Sequence, residues 1–363
     1  MAAASQFANS IFEDQGVPLV HETAGVAKDS DWTEAGAFPV VPGVWRIPLP
    51  LPQDSLRAVN VYAIADGERV VLIDSGWALP KSEQVLAQSL GAIGYGLEDI
   101  SQFLVTHVHT DHFGQAVALR RRFGTIVRLG IGERPSLEGL LARPGEVAQQ
   151  QVLVTAGAEH FTSAITELRR SQLTGTTAWA LPDSWLQDGQ TLELCDRSLQ
   201  VIHTPGHTSG HVVFHDARSR VLFSGDHVLP RITPSIGFEN MVAPSPLSDY
   251  LTSLHLLRAA PDALLLPAHG PVSQSVHERV DQLLEHHRRR LEATHRALKD
   301  GASTGYLVAM QLRWTRRQLR LDELTPINAL LAVTETLAHL TVLAERGQLR
   351  RTVADDGVAH FRA

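Results

Sequence analysis

Thr106-His107-Val108-His109-Thr110-Asp111-His112 puts four side chains able to ligate a metal ion within six residues. The stretch follows Phe103-Leu104-Val105, an apolar run that reads as a short buried strand, and precedes Gly114 to Phe123, which reads as a helix. The cluster therefore belongs at the carboxyl end of a strand, where open α/β sheets place ligands. His107 and His109 are two residues apart, so on an extended segment they face one way and can share one ion. Asp111 and His112 come at the turn, where the chain can aim them at a second ion. Imidazole and carboxylate are the donors expected for zinc and its neighbours. A chain with 18 histidines can cluster some of them by chance, so the reading depends on what lies downstream.

Three further segments supply more donors. His203-Thr204-Pro205-Gly206-His207-Thr208 follows the alternating run Leu199 to Ile202, which puts His207 on a turn after a strand. Val221-Leu222-Phe223-Ser224-Gly225-Asp226 reads as a buried strand ending in Gly-Asp, and Leu264-Leu265-Leu266-Pro267-Ala268-His269-Gly270 as another ending in His-Gly. Over about residues 40–275 this order resembles the metallo-β-lactamase fold superfamily, whose pattern is His-x-His-x-Asp-His, then His, Asp and His. The resemblance implies that His107, His109 and His207 bind one metal, that Asp111, His112 and His269 bind the other, and that Asp226 bridges them. Val70-Val71-Leu72-Ile73-Asp74-Ser75-Gly76 matches the strand that precedes the metal strand in that family, so Asp74 is expected to support the site by hydrogen bonds. The plainer reading of Asp74 is a turn former at a strand end.

Two divalent ions about 3.5–4 Å apart can share a water and lower its pKa towards neutrality. The expected reaction is attack of that hydroxide on an ester-like bond of a small molecule (thioester, ester or lactone), with Asp111 orienting the water or shuttling its proton. Zinc is the leading ion, and iron or manganese also suits the donors. Departures from named relatives narrow the field. True metallo-β-lactamases carry Cys or Ser where Asp226 stands, flavodiiron proteins replace one histidine of the first motif with Glu, and quorum-quenching lactonases commonly follow the bridging Asp with Tyr, where this chain has His227. An aspartate bridge with five histidines looks most like glyoxalase II, ribonuclease Z and their relatives.

The 363 residues, 44% of them hydrophobic, allow one large core and a small appended domain. The resemblance implies an α/β (α+β) fold, a four-layer αββα sandwich over about 1–272, and the helices and hairpin that follow read as a small helical winged-helix-like domain over 273–363. Val276 to Lys299 and Ala329 to Arg346 read as helices, and the residues from Leu349 to Phe361 as a hairpin. A net charge of −7 argues against bulk nucleic-acid affinity. Residues 285–320 nevertheless hold nine Lys or Arg against three acids, a basic face that makes a metal-dependent endoribonuclease holding RNA the alternative function. The lone Cys195, between Leu194 and Asp196, reads as a packed strand residue and not a nucleophile; it fits a reducing cytoplasm. No apolar run nears the roughly 20 residues of a membrane span and the start carries no leader pattern, so a soluble, cytoplasmic chain without membrane partner is expected.

Residues 132–180 exceed what a strand connection needs. Gly145 to Gln172 reads as largely helical, with apolar positions at Val147, Val154, Phe161, Ile165 and Leu168. It is expected to be a flap over the metal site, or else a decoration or homodimer surface. The loop from Pro230 to Asn240 begins just after Asp226 and should line the pocket, with Arg231 as the candidate contact for an anionic group of the substrate. His211 and His227 are expected near the metals as packed or supporting residues. The first 38 residues read as an irregular arm.

Overall fold

The computed structural model describes residues 31–52, 56–142, 149–163, 166, 179–239, 241 and 243–363. Runs of Val, Ile and Leu broken by Gly and Asp turns build two sheets. The first has seven strands in chain order: β1 (Phe38–Val41), β2 (Val44–Pro50), β3 (Ala58–Asp66), β4 (Arg69–Ile73), β5 (Ile100–Val105), β6 (Ile126–Gly130) and β7 (Ser184–Leu186). Hairpin links keep β1 to β4 antiparallel. Helical crossovers make β4 to β7 parallel, because a parallel neighbour needs a connection long enough to return. The second sheet has the order β12-β11-β10-β9-β8, with β8 (Thr191–Glu193), β9 (Ser198–His203), β10 (Val212–Asp216), β11 (Val221–Gly225) and β12 (Leu264–Pro267); β11 and β12 are its parallel pair.

Three apolar clusters define four layers. Tyr62, Val71, Leu104, Val201, Phe214 and Phe223 fill the space between the two sheets. On the outer face of the first sheet, Val59, Leu72 and Phe103 meet Val85, Leu86 and Leu90 of α1 (Pro80–Ala92) and Phe113, Ala116 and Leu119 of α2 (Thr110–Phe123). On the outer face of the second, Ile202, Val213, Leu222 and Leu265 meet the C-terminal half of the chain. The fold is the expected αββα sandwich, and its metal-bearing loops share one edge because the parallel strands of both sheets end there.

Among the described residues, β6 is followed by α3 (Arg134–Ala142) and α4 (Gln149–Ala156). Val147, Ile165 and Leu168 of the expected flap lie outside the described residues. Leu153 and Ala156 of α4 are fully buried in the core shared with the C-terminal helices, so this part of the insertion is docked and not free-standing. After α5 (Pro246–Ala259) and β12 come α6 (Val276–Lys299), α7 (Gly305–Gln311) and α8 (Pro326–Glu345), then the hairpin β13 (Arg350–Val353) and β14 (Ala359–Arg362). α6 starts at Ser275, whose Oγ accepts from the Glu278 amide at 3.0 Å. α8 starts earlier than the apolar pattern alone suggests, because Thr325 caps it and Pro326 suits its first turn.

α8 has the length and composition of a membrane span but is a core helix: 67% of its most apolar stretch is buried, because α4, α5, α6 and α7 pack around it. One expectation needs correction. Cys195 is exposed and not packed. β8 ends at Glu193, and the thiol residue sits in the turn to β9, its amide donating to Asp66 Oδ1 at 2.7 Å. The hydrogen bond and negative charge of Asp66 push its thiol pKa up, which disfavours a nucleophilic role.

Candidate metal centre

Donors arrive from four strand ends. β5 leads into His107 and His109, and the first turn of α2 presents Asp111 and His112. The turn after β9 carries His207, the end of β11 carries Asp226, and the end of β12 carries His269. The structure brings all seven together. Ligand atoms of His107, His109, His207 and Asp226 lie within 4.8 Å of one another, and so do those of Asp111, His112 and His269. Gly225 makes the approach of β11 possible: its φ is +50°, and a Cβ there would lie 2.7 Å from His211 Nε2 and Thr106 Oγ1.

Hydrogen bonds behind each imidazole set its tautomer. His112 Nδ1 donates to Asp74 Oδ2 at 2.8 Å, His207 Nδ1 to the Ser235 carbonyl at 2.8 Å, and His269 Nδ1 to the Ala58 carbonyl at 2.8 Å. Thr106 Oγ1 is 3.0 Å from Asp74 and 3.0 Å from His107 Nδ1, so it donates to the carboxylate and accepts from the ring. In all four rings the Nε2 lone pair is left for the centre. His109 faces inward with Nδ1 instead, 2.9 Å from His107 Nε2 and 3.1 Å from His207 Nε2. Nitrogen ligands on one tetrahedral zinc with bonds of 2.0–2.1 Å sit about 3.3 Å apart, close to this spacing.

Asp226 joins the two groups. Its Oδ2 lies 3.4 Å from His207 Nε2, while its Oδ1 lies 3.4 Å from His269 Nε2 and 3.6 Å from His112 Nε2. Asp111 Oδ2 lies 3.4 Å from His269 Nε2. His112 Nε2, His269 Nε2 and Asp226 Oδ1 are buried with no hydrogen-bond partner. Native interiors rarely tolerate such atoms, and three of them converging on one point fit a divalent cation.

The electrostatics agree with that fit. Burial, helped by neighbouring imidazoles, pulls His107 well below its ordinary pKa, His109 to about 3 and His207 to about 4. Burial also opposes charge on His112, yet Asp111, Asp74 and Asp226 overcome it and raise that ring to about 10, so the carboxylates there call for a positive charge that either a second proton or a cation at Nε2 supplies. Burial would raise Asp111, but His112 and His269 hold its carboxyl below the usual range. One half of the cluster thus offers neutral nitrogen lone pairs and the other a field that favours positive charge. Asp111 is its accessible carboxylate, with 19% of its side chain exposed against 10% for Asp226.

Asp74 sits at the end of β4 with φ +60°, a conformation uncommon for a non-glycine residue. This strained backbone points the carboxylate back to accept from the Thr106 amide at 2.8 Å as well as from His112. Turn former and support are therefore one role. His211 is buried, accepts the Asp226 amide at 3.2 Å and stacks on His107 with centroids 5.1 Å apart. His227 is buried one layer further out, against Tyr250. Arg231 is not brought into the cluster: it is exposed at the start of its loop, and its carbonyl accepts from Arg316 at 2.7 Å. The rest of that loop supports His207 through Ser235.

Several supporting residues escaped the sequence reading. Asn60 Nδ2 donates to the carbonyls of Pro267 and Gly270 at 2.9 and 2.8 Å, and so holds the His269 turn across the sandwich. Its signal was a lone amide inside an apolar strand. Glu133 is fully buried and accepts from Thr208, next to His207. Burial, with the Glu239 charge nearby, pushes its carboxyl up to about 8. Glu239 caps the same loop, accepting from the Ser209 amide at 2.8 Å and its hydroxyl at 2.7 Å.

Residues 54–269 match the family model of the metallo-beta-lactamase superfamily. The chain belongs to that superfamily. Residues 317–363 match a second model, the metallo-beta-lactamase-like C-terminal domain. The Bacillus subtilis protein named "Probable metallo-hydrolase YqjP" is 26% identical over 303 residues, which cover 82% of this chain and 90% of that one. An atrochrysone carboxyl ACP thioesterase of Aspergillus fumigatus is 24% identical over 250 residues, 68% of this chain and 46% of that protein. The crystal structure of a metallo-beta-lactamase family protein from Thermus thermophilus aligns with a TM-score of 0.73 at 26% identity, covering 89% of this chain and 99% of that one. The chain is a metal-dependent hydrolase of this superfamily.

Proposed function

We propose that the chain is a dinuclear hydrolase, with zinc as the leading ion, that cleaves a thioester or related acyl ester of a small molecule. The observation that carries this reading is Asp226, whose two carboxylate oxygens face two different donor groups, 3.4 Å from His207 on one side and 3.4 Å from His269 on the other. His107, His109 and His207 would hold one ion, Asp111, His112 and His269 the other. Bound there, the ions would supply Lewis acidity and a water of lowered pKa.

The chain's own residues then divide the work. Asp111, partly open to solvent and held ionised by His112 and His269, takes the proton of the attacking water. The water oxygen adds to the acyl carbon, the carbon–sulfur bond breaks, and the proton on Asp111 passes to the departing thiolate. The products are a carboxylic acid and a thiol. Asp74 and Thr106 keep His112 and His107 from turning during these steps. The thioesterase named among the relatives supports the thioester as first choice, as does an aspartate at the bridging position.

The endoribonuclease alternative has less support. Arg288 pairs with Glu285 and Glu292, and Arg289 pairs with Glu285. Arg290 lies 3.7 Å over the Trp314 ring. Much of the basic helix is thus already engaged within the chain. The deciding test is turnover of a short acyl thioester, a lactone and single-stranded RNA side by side, with and without EDTA, using Asp111→Asn as control. Thioester turnover lost to both EDTA and the substitution is the expected result. RNA cleavage without thioester turnover would overturn the reading.

A further inference from the structure

Outside the strand-end centre, one more set of donors converges among the described residues. His286 and His287 of α6 and Glu335 of α8 each present a ligand atom, and the three atoms lie within 4.8 Å of one another. Tyr250 separates this cluster from the first centre: its ring stands 4.9 Å from that of His227 on one side and 5.4 Å from that of His287 on the other.

Hydrogen bonding decides which lone pair is available. His339 Nδ1 lies 2.7 Å from the Glu335 carbonyl oxygen, which can only accept, so Nδ1 carries the proton. Burial keeps this ring neutral, pulling it to about 3, and its Nε2 is therefore an acceptor. His287 Nδ1, 3.2 Å away, donates to it. That leaves His287 Nε2 as a bare lone pair, buried and without a hydrogen-bond partner. The arrangement repeats that of His112, His207 and His269: one ring nitrogen donates to an outer partner while the other is free. A buried lone pair left open in this way is available to an ion brought between the two helices. Burial also lowers His286, with help from Arg290, and raises Glu335 against the pull of Arg290. Two neutral imidazoles and a half-buried carboxyl are donors for zinc, cobalt or nickel.

We propose that His286, His287 and Glu335 form a separate transition-metal site on the C-terminal helices, binding Zn2+ or a neighbouring divalent ion. His339 acts as the positioning residue that fixes the His287 tautomer. The exposed edge of the site at His286 gives the ion its way in.

The test is titration of the full-length chain with Co2+ alone, reading bound equivalents after gel filtration and the visible absorption of the ion. Wild type is compared with His286→Ala and Glu335→Gln, and both substitutions are repeated in an Asp226→Ala background. Each variant should bind one equivalent less than its parent in both backgrounds, and in the chains that keep Asp226 thioester turnover should be unchanged. Glu335→Gln keeps the shape of the side chain, so its loss of an equivalent at unchanged melting temperature separates ligation from folding. Equal equivalents and equal affinities in parents and variants would overturn the proposal.

Discussion

The strand-end centre and the interhelical cluster contain the same chemistry, imidazoles and carboxylates within 4.8 Å of one another, but they are built differently. At the strand ends the donors sit on short turns or on the first turn of a helix, and three of the rings are held from behind by residues distant in sequence: Ala58 behind His269, Ser235 behind His207, Asp74 behind His112. The interhelical donors come from the faces of two long helices, and only His287 among them is held from behind, by His339. The first construction fixes seven ligands at once and opens a carboxylate to solvent. The second gathers three, with His286 at the surface. The proposed chemistry on a substrate belongs to the first; the proposed binding of an ion alone belongs to the second.

Substitutions can break or sharpen this contrast. Asp226→Ala removes the carboxylate common to both halves of the strand-end centre; turnover should fall to background and paired metal binding should be lost, as measured by bound equivalents. An active variant would remove the bridging role. Asp111→Asn keeps size but neither basicity nor a charged metal donor, and kcat should drop by about 10²–10⁴-fold. Asp74→Asn tolerates the same left-handed backbone but weakens the support of His112, so metal affinity or turnover should fall by about 10–100-fold. Wild-type values there would reduce Asp74 to a turn former. His286→Ala, on the other side of the contrast, should leave kcat alone.

The smallest effect concerns stability. Glu133 keeps its proton up to about pH 8 when folded, against an ordinary value of 4.5. The unfolded chain loses that proton first, so this group stabilises the fold most below 4.5, and the contribution is lost as pH rises towards 8. The slope from one such proton is at most about 1.4 kcal/mol per pH unit. Glu133→Gln should flatten the dependence of urea midpoint on pH between 5 and 8; an unchanged profile would show that the carboxyl ionises freely.

How much was legible follows from distance along the chain. The seven donors could be read because strand ends concentrate ligands beside Gly and Pro, which leaves a local mark at each; the order of those marks resembles a known superfamily, and that resemblance carried the αββα sandwich. The supports could not be read this way. Asn60 reaches the Pro267 carbonyl 207 residues away, and Glu133 reaches Thr208 across 75. The interhelical donors looked like a polar helix face, since nothing near His287 in sequence announces Glu335. Cys195 was misplaced because the apolar run to Leu194 continues past the last paired residue, Glu193. α8 looked amphipathic at best, and its burial on several sides came from α4 docking beside the C-terminal helices.

The sequence by itself determined which side chains could ligate a metal, because residue type and strand periodicity are local properties. Only the tertiary structure decided which lone pairs are free, since a tautomer is set by whatever hydrogen-bond partner the fold brings behind the ring. It also decided that Asp226 faces both donor groups while Arg231 stays at the surface.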